Sequence, residues 1–379
     1  MKKLRVGVIY GGRSGEHEVS LASAAAVFQN LDPERYLPVA ILIEKDGRWA
    51  LPARPPAITV AADVINAGKK ELGEPSREAH FVAHPGGDTL LTVDRRDEGA
   101  FVSGLALDVV FPVLHGPYGE DGTVQGLLEL ANVPYVGAGV LASAVGMDKA
   151  AMKMIFAANN LPICDYHAFL TRDWRKGERG IMNAIAAKLG FPVFVKPANL
   201  GSSVGISKVH DRKELGPAMD LAAGFDRKIV IEQGVGGKKK AREIECSVLG
   251  NDEPKASVAG EIVPVKEFYD YAAKYLDEGS ELLIPAKLSK RLTKEVQEMA
   301  VAAFKAVDCA GLARVDFLLD PTTEKLYLNE INTMPGFTAI SMYPKLWAAS
   351  GLEYPKLIDR LIDLAMERHA EKSKNAYSR

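Results

Sequence analysis

The chain has 379 residues, of which 47% are hydrophobic and 25% are charged, and its formal net charge is −2. A chain of this length is too long for one compact core, so we expect two or three domains. The near-neutral charge excludes a general electrostatic attraction to nucleic acid or anionic lipid. No apolar run is long enough to span a membrane, and no signal-peptide cleavage site follows the first apolar segment.

The three cysteines, Cys164, Cys246 and Cys309, lie far apart in the sequence. None belongs to a CxxC pair, so neither a disulfide framework nor a zinc site is predicted. Together with the lack of a predicted leader or membrane segment, they indicate a protein of the reducing cytoplasm.

The N-terminal part of the chain alternates predicted strands with predicted helices. The strands are Leu4–Tyr10, Val39–Ile43 and Asp108–Leu114, and the helices lie around Val19–Gln29 and Val124–Ala131. This alternation predicts a mostly parallel, doubly wound sheet. The stretch Leu51–Gly99 is rich in proline, glycine and charge, and we expect it to be largely irregular surface. One substrate-binding α/β domain, residues 1–140, is predicted.

The remainder predicts two further domains, a small central α+β domain (141–230) and a C-terminal mixed-sheet domain (231–379). Central elements are predicted at Asp148–Asn159, Phe191–Pro197, Ile206–Val209 and Lys228–Gln233. The C-terminal strands are predicted at Ile244–Leu249, Ser257–Val265, Leu312–Leu319 and Lys325–Ile331, with an apolar helix stripe between Val296 and Val307. The polar tail after Ala365 is expected to fray.

The strongest chemical pattern lies near the C-terminal end, where two predicted strands form an antiparallel pair. Asp316 lies on the first strand, and Glu330 and Asn332 lie on the second. Side chains two residues apart on a strand share a face, so Asp316 can face the other two. Two carboxylates and an amide oxygen suit Mg²⁺. A solvated polar face is the alternative, but the apolar Leu318 and Leu328 beside these residues favour a metal site.

A glycine- and serine-rich loop, Gly201–Gly205, follows the predicted strand that ends at Lys196-Pro197. Glycines allow successive backbone N–H groups to converge on an anion, serine hydroxyls add donors, and the lysine supplies a positive charge. The chain has no Walker A sequence, so this would be a different kind of phosphate site. A plain flexible turn explains the loop equally well.

Two further loops follow predicted strands of the N-terminal domain, where ligands bind in open α/β sheets. The first carries Glu16, which would attract an ammonium group rather than a phosphate. A glutamate that complements the helix dipole is an equally good explanation. The second loop contains His115 among glycines and acidic residues and could close over a substrate. A lone histidine there is more often a structural hydrogen-bonding residue than a catalyst.

Two other segments carry weaker signals. Phe268–Tyr275 contains four aromatic residues without a clean period, which is typical of an active-site lid or of a partly packed surface loop. Gly137–Ala142 fits the dinucleotide fingerprint G-x-G-x-x-A. The strand before it is very short, however, and the next long helix begins only after Asp148, so a dehydrogenase is a poor explanation.

The order of these motifs along the chain resembles that of the D-alanine–D-alanine ligases, which are ATP-grasp enzymes. The resemblance spans nearly the whole chain, so it is far more specific than any single motif. The matching segments are Gly11–Ser20, His115–Gly122, Met147–Lys149, Val195–Pro197, Gly201–Gly205, Gly311–Asp316 and Asn329–Thr338.

This resemblance implies an ATP-grasp fold with ATP between the central and C-terminal domains, and Mg²⁺ (or Mn²⁺) on Asp316, Glu330 and Asn332. The segment 236–242 is longer than the family's usual turn, so the ribose contact is either Glu243 or a neighbouring residue. The resemblance also implies phosphate contacts from Lys149, Lys196 and Ser203. Along the adenine edge it implies Glu232, Gln233 and Val235, and Phe268 is a further implied nucleotide contact.

The resemblance also implies roles for residues around the amino-acid substrates. Glu16 would bind the ammonium group of the first D-alanine, linked through Ser202 and Tyr275, with His115 nearby. Arg314 and the Gly336 N–H would stabilise the transition-state oxyanion. The residues implied to contact the second substrate or the transferred phosphate are Lys274, Ser341 and Met342.

The implied activity is ATP-dependent synthesis of D-alanyl-D-alanine for peptidoglycan, through an acyl phosphate that a lid protects from water. The nearest alternative is a D-alanine–D-lactate ligase, whose members generally lack a tyrosine at the position of Tyr275. A biotin carboxylase would leave Glu16 and Tyr275 without a role, and a non-catalytic nucleotide-binding module would not need Arg314. By resemblance alone, we expect a homodimer that binds no nucleic acid or membrane.

Overall fold

The computed structural model describes residues 2–67, 77–97, 99–237, 239–263 and 281–376, which form three β-sheets covered by helices. The predicted lid, with the predicted site residues Phe268, Lys274 and Tyr275, lies outside the described residues. Within the described ranges, no helix combines the length and apolar character that crossing a membrane requires.

The first sheet has seven strands, and its centre is parallel. In chain order they are β1 (Leu4–Gly11), β2 (Tyr36–Ile43), β3 (Trp49–Leu51), β4 (Arg77–Phe81), β5 (Leu90–Arg96), β6 (Gly99–Leu105) and β7 (Val109–Pro112). The spatial order is β6-β5-β4-β3-β2-β1-β7. Strand β1 pairs in parallel with β2 and β7, as predicted. The other pairs are antiparallel, so the sheet is mixed.

The prediction that Leu51–Gly99 is irregular surface is wrong, because this region supplies β4, β5 and the helix α2 (Ala61–Ala67). Strand β5 pairs along its whole length with β6. The outer strands bury little apolar surface: Phe101 and Val102 on β6 are 62% and 60% exposed. Such strands lack a strong apolar alternation, which is the signal that sequence reasoning depends on.

Helices cover both faces of the parallel part of the first sheet. On one face, α1 (His17–Asn30) and the C-terminal helix (Tyr354–Lys372) pack against Val8. On the other face, α3 (Thr123–Leu130) packs near Ile9. Because successive strand side chains point to opposite faces, Val8 and Ile9 enter separate cores. This confirms the doubly wound arrangement around β1.

The remaining helices mostly cover the second and third sheets. They are α4 (Val140–Met147), α5 (Lys149–Ala158), α6 (Thr171–Lys188), α7 (Arg212–Ala223), α8 (Lys290–Ala306), α9 (Met342–Ala349) and α10 (Tyr354–Lys372). The expected fraying after Ala365 is wrong, since α10 continues to Lys372. Arg368 on its last turns donates to the Tyr135 carbonyl at 3.1 Å, and His369 Nε2 lies 3.1 Å from the Asn132 carbonyl.

The second sheet is antiparallel, with the order β10-β9-β11-β8. Its strands are β8 (Tyr166–Leu170), β9 (Val193–Pro197), β10 (Ser207–Val209) and β11 (Lys228–Gln233). Helices α6 and α7 cover one face with an apolar core around Trp174 and Met219. The opposite face is left to line a cavity.

The third sheet is also antiparallel, with the order β14-β13-β12-β15-β16. Its strands are β12 (Arg242–Gly250), β13 (Lys255–Val263), β14 (Glu281–Leu283), β15 (Gly311–Leu319) and β16 (Leu326–Asn332). The predicted antiparallel pair is confirmed, because Asp316 lies opposite Glu330 and Arg314 opposite Asn332.

Candidate active site

A cavity of about 880 Å³ is lined by residues of the second and third sheets and by N-terminal loops. Every predicted site residue that the structure describes lines it. These are Glu16, His115, Lys149, Lys196, Ser202, Ser203, Glu232, Gln233, Val235, Glu243, Arg314, Asp316, Glu330, Asn332, Gly336, Ser341 and Met342.

Lys149 lies at the start of α5 and connects two sides of the cavity. The preceding residue, Asp148, caps the helix by accepting from the N–H groups of Ala150 and Ala151 at 3.1 and 3.0 Å. This cap directs the Lys149 side chain inward, where its ammonium donates to the Leu200 carbonyl at 2.8 Å and lies 3.6 Å from Glu330 Oε2. Lys149 therefore spans from the serine-rich loop to the predicted metal site.

Glu232 lies between two lysines at the other end of the cavity. The Lys196 ammonium lies 2.8 Å from Glu232 Oε2, and the fully buried Lys153 ammonium lies 3.3 Å from Oε1. Burial raises the pKa of Glu232, but the two positive charges outweigh burial and lower it to about 2. Burial likewise disfavours charge on Lys196, yet Glu232 raises its pKa above the usual value. The cluster therefore stays ionised at neutral pH.

Sequence reasoning missed Lys153, although a signal for it exists. Lys153 follows Lys149 by one helical turn on α5, so both lysines occupy the same face of the helix. A buried lysine needs a charged partner, and that partner, Glu232, lies 79 positions along the chain and could not be assigned from spacing.

The Glu16 carboxylate lies in a space that two glycines keep open. A Cβ atom on Gly201 would lie 2.8 Å from Glu16 Oε2, and one on Gly116 would lie 2.9 Å from it. The Ser202 hydroxyl donates to Glu16 Oε1. Ser202 and Ser203 both have left-handed backbone angles, with φ of 50° and 59°. The strained loop thus brings a hydroxyl onto the carboxylate.

His115 and Glu120 lie in the loop beside Glu16. Burial lowers the pKa of His115. Burial and the negative charge of Glu16 raise the pKa of Glu120 well above its usual value. Glu120 Oε2 accepts from the Gly116 N–H at 2.9 Å. Glu120 is not among the predicted site residues, because its sequence context of glycines and acidic residues does not distinguish it from its neighbours.

Arg314 is surrounded by carboxylates on the third sheet. Its guanidinium donates twice to Asp316, at 2.7 Å each, and its Nε lies 2.9 Å from Glu245 Oε2. These carboxylates outweigh the effect of burial and raise the pKa of Arg314 well above its usual value. The Asn332 amide donates to Asp316 Oδ2 at 2.9 Å. Glu245, which sequence reasoning missed, is thus the second anion that holds Arg314 in place.

The residues of the predicted Mg²⁺ site fit such an ion by their chemistry. Asp316 and Glu330 lie opposite each other on the neighbouring strands β15 and β16, and the Asn332 amide donates a hydrogen bond to Asp316. Hard oxygen ligands of this kind suit Mg²⁺, which also retains water and phosphate ligands. No group of three or more histidine, cysteine, aspartate or glutamate residues suitable for a metal occurs in the described ranges, and this donor set requires only two carboxylates.

The loop before α9 carries Gly336 and Ser341. The Ser341 hydroxyl accepts from the Thr338 N–H at 3.1 Å, which closes the loop on itself. A Cβ atom on Gly336 would lie 3.0 Å from that hydroxyl oxygen. Glycine therefore allows the backbone at residue 336 to approach Ser341 at the edge of the cavity.

Two family profiles match the chain: "D-ala D-ala ligase N-terminus" over residues 5–138 and "D-ala D-ala ligase C-terminus" over residues 155–363. The D-alanine–D-alanine ligase of Heliobacterium modesticaldum is 49% identical over 379 residues, covering 100% of this chain and 99% of the relative. That of Thermoanaerobacter pseudethanolicus is 51% identical over 380 residues, covering 98% and 99%.

Two solved structures also resemble the chain over nearly its whole length. The D-alanine–D-alanine ligase of Coxiella burnetii superposes with a TM-score of 0.82 at 38% identity, covering 99% of this chain and 97% of that one. A D-Ala:D-Ser ligase from Enterococcus faecalis has a TM-score of 0.80 at 34% identity, covering 96% and 100%. By its sequence and its fold, the chain belongs to the D-alanine–D-alanine ligase family.

Proposed function

We propose that this protein uses ATP to join two D-alanine molecules into D-alanyl-D-alanine, releasing ADP and phosphate, as a step in making peptidoglycan precursors. The observation that carries this proposal is one cavity that brings together three groups of charged residues. They are the carboxylate of Glu16, the buried lysines Lys149 and Lys196, and the paired carboxylates of Asp316 and Glu330. The similarity of whole-length relatives that bear the name of this activity supports it.

The first step assigns the ATP phosphates to the positive part of the cavity. Lys149 and Lys196 are both largely buried and both line it. Ammonium groups held in a site of low polarity offset phosphate charge more strongly than they would in water. Mg²⁺, held by Asp316, Glu330 and Asn332, would neutralise further charge on the transferring phosphoryl group.

The second step activates the first D-alanine. Glu16 binds its ammonium group, because the carboxylate is held open to the cavity by glycines and fixed by Ser202. A carboxylate oxygen of this D-alanine attacks the γ-phosphorus of ATP, and ADP leaves. The product is an acyl phosphate, which is a far better electrophile than a carboxylate.

The third step forms the peptide bond. The neutral amine of the second D-alanine attacks the acyl carbon, the bond from that carbon to the phosphate oxygen breaks, and the amine proton leaves with the departing phosphate. The negative charge that develops on the acyl oxygen is stabilised by Arg314, which Asp316 and Glu245 hold in position, and by the Gly336 N–H. Ser341 and Met342, which line the same part of the cavity, contact the second substrate.

The second substrate needs a direct test, because the family accepts more than one. The similar structure from Enterococcus faecalis is described as a D-Ala:D-Ser ligase, and a D-alanine–D-lactate ligase is the alternative that the sequence leaves open. ADP release with Mg²⁺-ATP and D-alanine should therefore be measured alone and with D-serine or D-lactate, with product masses. A D-alanyl-D-alanine mass supports the proposal. The proposal is contradicted if the mixed product forms without any D-alanyl-D-alanine, or if ADP release does not depend on D-alanine.

Three further features belong to the same proposal. We propose domain boundaries near residues 140 and 230, although the second falls inside β11. We also propose a cytoplasmic homodimer that uses Mg²⁺ or Mn²⁺. Light scattering of the purified protein, and ADP release with each metal after chelation, test the oligomeric state and the metal separately.

A further inference from the structure

Ser23 is a fully buried residue of α1 that connects two loops of the cavity. Its Oγ lies 3.1 Å from His115 Nε2 and 3.2 Å from the Phe337 backbone nitrogen. The other ring nitrogen of His115, Nδ1, lies 3.1 Å from the Met334 carbonyl oxygen. Ser23, His115 and the segment 334–337 come from three separate parts of the sequence.

When the His115 ring is neutral, the chemistry of the end groups assigns each proton in this network. The Met334 carbonyl can only accept, so Nδ1 of His115 must carry a proton. The Phe337 N–H can only donate, so Ser23 Oγ accepts from it. The Ser23 hydroxyl proton is then available for Nε2, which accepts in the neutral ring. Both ring nitrogens of His115 are thus occupied by the protein itself.

The surroundings of His115 favour this neutral form. Its side chain is 4% exposed, and burial lowers its pKa. Two charged groups on neighbouring elements also act on the pKa of His115. Glu16, at the N-cap of α1, raises it, and Arg314, on β15, lowers it. A histidine with both nitrogens engaged is poorly suited to removing a proton from a substrate.

The two ends of the network bracket Gly336. Met334, whose carbonyl accepts the hydrogen bond from His115 Nδ1–H, lies two residues before Gly336. Phe337, whose N–H donates to Ser23, directly follows Gly336. The Phe337 carbonyl also accepts from the Tyr354 hydroxyl. The backbone around Gly336 is therefore held by contacts on both sides, at the residue whose N–H the proposed reaction needs as an oxyanion donor.

We infer that Ser23 is a positioning residue: with neutral His115 it forms a hydrogen-bonded clamp that aims the Gly336 N–H at the reacting acyl oxygen. His115 then acts through the loop rather than as a base. This inference rests on the proposed function for its catalytic part. The hydrogen-bond network itself can be measured without any activity.

The first test is the tautomer of His115 in the unaltered protein. The chain has seven histidines, and after ¹⁵N-histidine labelling the signal lost in His115→Gln identifies the ring. Long-range ¹H–¹⁵N correlation between pH 6 and 8 should show Nδ1 protonated and Nε2 unprotonated throughout. An Nε2–H tautomer, or a doubly protonated ring at pH 7, would overturn the clamp.

The second test is the kinetics of Ser23→Ala. Loss of the hydroxyl should lower kcat about tenfold or more and leave the KM for ATP within about twofold, because it removes a contact that matters in the transition state rather than in nucleotide binding. The His115 Nε2 chemical shift should also change. The matched control is Ser143→Ala, since Ser143 is 1% exposed and its hydroxyl has no hydrogen-bond partner among the described residues.

The outcomes separate the clamp from the proposed function. Unchanged kcat in Ser23→Ala, with the reference protein active on D-alanine, would overturn the positioning role. A kcat loss equal to that of Ser143→Ala would do the same. A protein without D-alanine-dependent ADP release would overturn the proposed function and the catalytic part of the inference together, while the tautomer would still decide whether the clamp exists.

Discussion

The cavity contains two clusters of charged side chains, one around Glu232 with more positive than negative groups and one around Arg314 with more negative than positive groups. Around Glu232, one carboxylate is shared by the ammonium groups of Lys153 and Lys196. Around Arg314, one guanidinium contacts the carboxylates of Asp316 and Glu245. Both clusters are largely buried, so neither surplus is screened well by water.

This difference shows how buried charge can define a ligand. Removing ions from water is costly, and a pair offsets that cost only with good geometry and further hydrogen bonds. The Glu232 cluster brings two ammonium groups to one carboxylate, and the phosphates of the proposed nucleotide would offset the additional positive charge. The Arg314 cluster brings two carboxylates to one guanidinium, and the proposed divalent cation would offset the additional negative charge. In the proposed function, the metal and the phosphates would thus each lie beside the cluster of opposite charge.

The largest expected effect comes from breaking the negative cluster. Glu330→Gln keeps the shape but removes a proposed metal-ligating charge, so we expect Mg²⁺-dependent ADP release to fall by about 1000-fold or more. The matched control is Glu324→Gln, an exposed glutamate of the same hairpin that pairs with Arg291, which should keep normal activity. Near-normal turnover in Glu330→Gln, with an intact fold by circular dichroism, would remove Glu330 from the metal site.

A smaller effect is expected from breaking the positive cluster at Lys153. Lys153→Met leaves Glu232 buried with one cation, so the free energy of unfolding should fall by about 3 kcal/mol and the KM for ATP should rise about tenfold. Urea unfolding and steady-state kinetics measure these two changes. Adding Glu232→Gln to Lys153→Met should lower the stability further, because the buried Lys196 then loses its carboxylate partner.

The matched control for Lys153 is Lys294→Met, whose side chain is 75% exposed and pairs with Glu298. Exposed pairs of this kind contribute little, about 0.5 kcal/mol. If Lys153→Met and Lys294→Met were equally stable, the buried cluster would not contribute to folding as the comparison requires.

The smallest effect is expected from a substitution that adds a methyl group beside Glu16 and leaves every charge of the cavity unchanged. Gly201→Ala places a Cβ 2.8 Å from Glu16 Oε2, so the carboxylate must move. We expect the KM for the first D-alanine to rise about tenfold, while the KM for ATP changes less. Gly216→Ala, where an added Cβ has no neighbour within 4 Å, is the control. Equal shifts in both KM values would show that the change acts on the phosphates rather than on Glu16.

Sequence reasoning succeeded where the signal is local. The apposition of Asp316 and Glu330 follows from the two-residue period of strands and a short turn between them, and the structure confirms it. The element predicted at Asp148–Asn159 follows from an equally local pattern and is observed as the helix α5 (Lys149–Ala158). It failed for β4 and β5, whose sequences, REAHF and LLTVDRR, contain too few apolar residues in alternation to be recognised as strands. It also failed for the last turns of α10, which contact Tyr135 and Asn132 far away in the chain.

The sequence by itself determined the family, the order of the motifs and the residue types of the site, because each of these is written in neighbouring positions. Only the tertiary structure decided how the motifs meet. Ser202 reaches Glu16 across 186 positions, and Phe337 reaches Ser23 across 314. The partners of Lys153 and of His115, and the contacts on both sides of Gly336, depend on such long-range contacts. Burial strengthens each contact by excluding water from it.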